Sequence, residues 1–85
     1  MMGCFYIIGL RVNHRHANAV KLQEVLTQFG CNIKLRVGLH ETHEDFCSDD
    51  GVIMLQVCGE ADVVQSMLAT LGEMEGITAK LMDLN

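Results

Sequence analysis

His40-x-x-His43-x-x-x-Cys47 places two imidazoles and a thiol within eight residues, with Glu41, Glu44, Asp45 and Asp49 around them. Imidazole nitrogen with thiolate sulfur is a donor set for zinc, nickel or copper, and donors close together on a loop can converge on one ion. The spacing matches no established zinc signature, and a short H-x-x-H pattern also arises in ordinary acidic loops. A transition-metal sensor or chaperone using His40, His43 and Cys47 is therefore the alternative function, with no cofactor required. A second group, Asn13-His14-Arg15-His16, stands at the entrance to a helical pattern. Histidine and arginine at a helix N-terminus suit an anion or carboxylate, although polar residues also gather there simply as caps. With Arg36, Gly38 and Leu39 at the end of the following strand, these four form the expected ligand-binding set. No Ser/His/Asp or Cys/His arrangement, phosphate-cradling glycine loop or pair of pocketed carboxylates can be placed, so no catalytic residue and no enzyme is expected.

The elements that hold these residues follow from periodicity. Cys4 to Val12 is a compact apolar run that reads as a central strand buried on both faces. Ala19, Leu22, Val25, Leu26 and Phe29 recur at helical spacing, with Asn13 or Asn18 as cap and Gly30 as the expected left-handed terminator. Ile33, Leu35, Val37 and Leu39 alternate with Asn32, Lys34, Arg36 and Gly38, the pattern of an edge strand with one buried face. A polar loop of twelve residues, His40 to Gly51, leads to a second apolar strand, Val52 to Cys58. A second helix follows Gly59-Glu60, with Val63, Val64, Met67, Leu68 and Leu71 inward. After a turn at Glu73 to Gly76, Ile77 to Leu84 forms the last strand.

The order β-α-β-β-α-β predicts one α+β domain over residues 1–85, a ferredoxin-like βαββαβ sandwich. Right-handed crossovers put the first and third strands in the middle of a four-stranded antiparallel sheet, with two helices on one face. Alternation points Tyr6, Ile8, Leu10, Val12, Ile33, Leu35, Val37, Ile53, Leu55 and Val57 toward the helices. The other face then shows Phe5, Ile7, Gly9, Arg11, Lys34, Arg36, Val52, Met54, Gln56, Cys58, Thr78, Lys80 and Met82. Its centre is apolar, which a monomer rarely leaves uncovered. A homo-oligomer, dimer or tetramer, is expected through this face at Phe5, Ile7, Met54, Gln56 and Met82, through the edge strand, or both.

Composition narrows the partners. Lys+Arg 6 against Asp+Glu 11 give a net charge of −5, which disfavours binding to nucleic acid. The third strand, V-I-M-L-Q-V-C, also lacks the aromatic platforms of an RNA-binding sheet. Residues 1–40 carry +4 and residues 41–85 carry −9, an asymmetry able to steer a charged ligand. No apolar run is long enough to span a bilayer and no leader pattern is present, so no membrane partner and a cytoplasmic location are expected. Cysteines at 4, 31, 47 and 58 contain no C-x-x-C, and reduced, mostly buried thiols are the expectation.

Several segments together resemble a small ACT-like family labelled as iron-only hydrogenase system regulators. They are Ile8-Gly9-Leu10-x-Val12 with Arg15, Val25-Leu26-x-x-Phe29-Gly30, Ile33-x-x-Arg36-Val37-Gly38-Leu39, Val52-Ile53-x-Leu55-x-Val57-x-Gly59 and Leu71-Gly72-x-Met74-x-Gly76-Ile77-x-Ala79-Lys80. The resemblance spans nearly the whole chain. It implies an ACT-like βαββαβ fold, oligomers built from shared sheets, and a link to iron-only hydrogenase system regulation. Taken with the residues above, the expected function is a non-catalytic, oligomeric regulatory domain that senses a small ligand at a subunit boundary. The chain departs from the pattern at His40, where the family has proline, and at Ala69-Thr70, where it has Gly-Lys. Amino-acid-binding ACT domains generally carry glycine in the first strand–helix turn, which here is Asn13 to His16.

Overall fold

The computed structural model describes the backbone of residues 2–13, 15–42 and 47–85, and the side chains of 2–13, 19–38 and 51–85. In chain order the elements are β1 (Met2–Val12), α1 (Arg15–Gln28), a 3₁₀ turn (Gly30–Asn32), β2 (Ile33–Thr42), β3 (Cys47–Glu60), α2 (Ala61–Gly72) and β4 (Ile77–Asp83). The strands form one antiparallel sheet in the order β2-β3-β1-β4. This is the ferredoxin-like arrangement expected from the sequence, with the two apolar runs on the central strands.

The core lies between the sheet and the two helices. Tyr6, Ile8, Leu10 and Val12 of β1 and Leu55 and Val57 of β3 are buried against Leu22 and Leu26 of α1 and Val64, Met67 and Leu71 of α2. The i, i+3, i+7 spacing of the α2 trio keeps all three on one stripe, and Met74 and Ile77 close that end. Ala19, expected on the inner stripe of α1, is exposed. α2 ends near Gly72, and Gly76 then adopts φ 79°, a left-handed conformation that spares a side chain the strain of turning into β4. At the far end Asn85 donates its backbone N–H (2.9 Å) and side-chain amide (2.7 Å) to Asp83 Oδ1. Those two bonds hold the Asp83 carboxyl below its ordinary pKa.

Five further expectations need correction. β1 is not buried on both faces: Tyr6, Ile8, Leu10 and Val12 are covered, while Phe5 and Arg11 are exposed. Gly30 does not cap α1 in a left-handed conformation but opens the 3₁₀ turn, and Asn18 lies within α1 rather than capping it. The segment expected as a twelve-residue loop is largely strand. His40 pairs with Gly51 and Thr42 with Cys47, so β2 and β3 continue as a two-stranded arm past the end of β1 at Val12.

The fourth correction is a register slip. Ile33 pairs with Val57 but Leu35 with Gln56, two residues of β2 against one of β3. That bulge inserts Lys34 and inverts the facing of Leu35, Arg36 and Val37. Leu35 and Val37, expected inward, are 54% and 43% exposed on the open face. Arg36, expected on the open face, turns to the helix side and donates from Nη1 to Gln23 Oε1 of α1 at 2.9 Å.

The fifth concerns the cysteines. β1 carries its own bulge, because Gly3 pairs with Gly59 and Tyr6 with Val57, leaving Cys4 and Phe5 both against Cys58. The Cα atoms of Cys4 and Cys58 stand 3.9 Å apart and the two are joined as a disulfide. Cys31 is free and exposed, not buried.

Candidate functional site

The strand pairings arrange the helix-free face in cross-strand rows. One row runs Leu35–Gln56–Ile7–Met82 and the next Val37–Met54–Gly9–Lys80. A third runs through Val52, Arg11 and Thr78, with Leu39 at its β2 position. Six apolar side chains on this face, Phe5, Leu35, Val37, Val52, Met54 and Met82, are each 43–59% exposed. Side chains in such rows sit about 4.5–5.5 Å apart, so they form one continuous surface rather than scattered contacts.

Two features shape that surface. Gly9 lies at its centre, paired on both sides, and a Cβ placed there would meet nothing within 4 Å. The result is a shallow hollow with the exposed Arg11 and Lys80 as its basic neighbours. Gln56 is half-buried and donates from Nε2 to the Cys4 carbonyl at 2.9 Å, so the only uncharged amide in the apolar rows is tied to the β1 bulge. Of the residues expected at an interface, Phe5, Met54 and Met82 are exposed here and Ile7 and Gln56 half-buried. Leu35 and Val37 belong to the same surface, and sequence alternation missed them because nothing local marks the bulge at Lys34. The disulfide was missed for a related reason: its partners are 54 residues apart in sequence.

The expected ligand set is divided between two places. Val12 pairs with Gly51, which pairs with His40, so the β1–α1 turn and the far end of the sheet-bound part of β2 lie at one end of the molecule. Asn13 is half-buried in that turn, its backbone N–H donating to the Gly76 carbonyl at 2.8 Å. Arg15 and His16 begin α1, while His14 lies outside the described residues. Gly38 pairs with Ile53 and Leu39 with Val52, close to the same end. Arg36 is four residues further back along β2, about 13 Å at 3.3 Å per residue, and is held by the middle of α1.

Of the expected metal ligands, His40 and Cys47 lie on the paired strands of the arm, and His43 lies outside the described residues. Among the described residues no group of three or more His, Cys, Asp or Glu comes together as a metal site. No described helix is long and apolar enough to cross a membrane.

Against solved structures, the chain is similar to the uncharacterized protein TM1266 from Thermotoga maritima. The TM-score is 0.84 with 25% identity, and 100% of each chain is covered. It is also similar to the apo form of CPII from Thiomonas intermedia K12, a nitrogen regulatory PII-like protein. There the TM-score is 0.59 with 13% identity, over 99% of this chain and 92% of that one, a likeness of fold. No curated protein matches the chain. The family profile of TM1266-like proteins, labelled for regulation of the iron-only hydrogenase system, matches residues 4–81. Match, fold and sheet order agree over almost the whole sequence, and the chain belongs to the TM1266-like family.

Proposed function

We propose that this chain is a non-catalytic regulatory domain of the cytoplasm that works as a homo-oligomer, a dimer or tetramer, joined through the open face of its sheet. In this reading it senses a small ligand near the β1–α1 turn and the Gly38–Leu39 segment of β2. The observation that carries it is the continuous apolar surface of Phe5, Leu35, Val37, Val52, Met54 and Met82 on a face that none of the described elements covers.

A second copy is the occupant that fits, because the surface is self-complementary in character: apolar rows around a hollow that a side chain from the other copy can fill. Burying six half-exposed side chains on each of two protomers contributes roughly 12 kcal/mol gross, against association costs of about 4–15 kcal/mol. Sedimentation equilibrium at micromolar concentration therefore tests the reading directly, and a monomer there would overturn it. A thermal-shift screen of amino acids and small anions tests the sensing half. A ligand at 100 times its dissociation constant adds about 2.7 kcal/mol of stability.

A second reading, metal binding by the arm, is favoured by one observation: Cys47 pairs with Thr42, two residues from His40. Native mass spectrometry with zinc or nickel is expected to show one ion per chain that His43→Ala removes. No bound ion at micromolar metal would eliminate this reading.

A further inference from the structure

We infer that Cys4 and Cys58 form a redox site on the open face: a disulfide that small thiols open and re-close in the folded protein, and whose state sets how tightly that face associates. This rests on the homo-oligomer reading above. Both cysteines are half-buried on the face that carries no helix, so neither is sealed into the core of the free protomer. The β1–β3 ladder continues beyond them from Tyr6↔Val57 to Val12↔Gly51, and the core lies on the opposite face. Opening the bond therefore leaves the pairing and the core in place.

The bond is coupled to the association surface through the β1 bulge. Cys4 and Phe5 share the bulge opposite Cys58. Its backbone is fixed at three points: Gln56 Nε2 donates to the Cys4 carbonyl, Phe5 N–H donates to Asn85 Oδ1 at 3.0 Å, and Leu84 N–H donates to the Phe5 carbonyl at 2.9 Å. With the sulfurs bonded, Phe5 and Gln56 are held in place before a partner arrives, which lowers the ordering cost of association. With the bond open, two thiols must separate to van der Waals distance, and the bulge that displays Phe5 loosens.

The chemistry is thiol–disulfide exchange with a small dithiol or its disulfide. A thiolate of the dithiol attacks one cysteine sulfur and forms a mixed disulfide, while the other cysteine leaves as thiolate and takes up a proton. The second thiol of the reagent then displaces the first cysteine. Two electrons and two protons pass to the protein, giving two cysteine thiols and the oxidised cyclic reagent; the reverse reaction restores the bond.

The test uses the full chain with Cys31→Ser and Cys47→Ser, so that only this pair remains, and dithiothreitol as the reductant. Without unfolding, reduction is expected to add 2 Da and to allow two alkylations per chain, and the association constant by sedimentation is expected to fall at least about tenfold. Circular dichroism of the reduced protein, and of Cys4→Ser and Cys58→Ser separately, confirms that the fold persists. Resistance to reduction until the chain is unfolded overturns the inference. Equal association in both states overturns it while leaving the homo-oligomer intact. A monomer in both states overturns the homo-oligomer and this inference together.

Discussion

Met54→Asp is expected to raise the dissociation constant of the assembly by at least about 100-fold, a loss of about 2.7 kcal/mol. Met54 sits in the middle row of the open face, between Val37 and Gly9, and is 48% exposed in the protomer. The new carboxylate is solvated while the protomer is alone and loses that solvation when the face is covered, with no designed partner for its charge. Arg11 and Lys80 lie on the same face and offset part of that cost, which is why the estimate stays well below that for an isolated buried charge. The melting temperature of the dilute protomer should hardly move, since the substituted side chain was never in the core. Met54→Leu keeps apolar volume and is the matched control. Sedimentation equilibrium reads the outcome, and unchanged association in Met54→Asp would show that copies do not meet through this face.

One residue further along β3 the expected result inverts. Leu55 is completely buried between the sheet and the helices. Leu55→Ala removes its branched carbons from a packed site and is expected to destabilise the protomer by about 2–5 kcal/mol. For a domain of this size each kcal/mol lowers the melting temperature by roughly 4–8 °C, so a fall of at least about 10 °C is expected. Thermal denaturation by circular dichroism at a concentration below association measures it without interference from assembly. Neighbours on one strand differ in this way because successive side chains point to opposite faces, one covered by the chain's own helices and the other not. A Leu55→Ala protein as stable as the parent would mean that the β3 register is displaced by one residue.

Regulation is the part of the function that the family supports; that it acts through the open face is the proposal made above. The open face offers a surface, and its Cys4–Cys58 pair offers a chemical state of that surface. Among the described residues of the expected ligand set, Arg36 stands apart: it is engaged by Gln23 on the helix side, whereas Asn13, Gly38 and the Leu39 position lie toward the other end of the sheet. A ligand at that end would have to be recognised without Arg36 as the structure stands, and the thermal-shift screen is best followed up on the Asn13–His16 turn.

Order, type and layering of the elements were legible in the residues alone. The apolar runs Cys4 to Val12 and Val52 to Cys58 marked the central strands, and Val64, Met67 and Leu71 marked the buried stripe of α2. These signals are local, because hydrophobic period and turn residues are written within a few positions of one another. The same alternation placed Phe5, Met54 and Met82 on an uncovered apolar face. Tertiary structure decided the rest. A bulge at Lys34 moved Leu35 and Val37 onto the open face and Arg36 off it, a bulge at Cys4–Phe5 brought Cys4 against Cys58, and extended pairing turned most of an expected loop into an arm. Each of these is a matter of register between strands. Register is fixed by hydrogen bonds and packing between residues distant in sequence, and a one-residue slip costs nothing that local periodicity can detect.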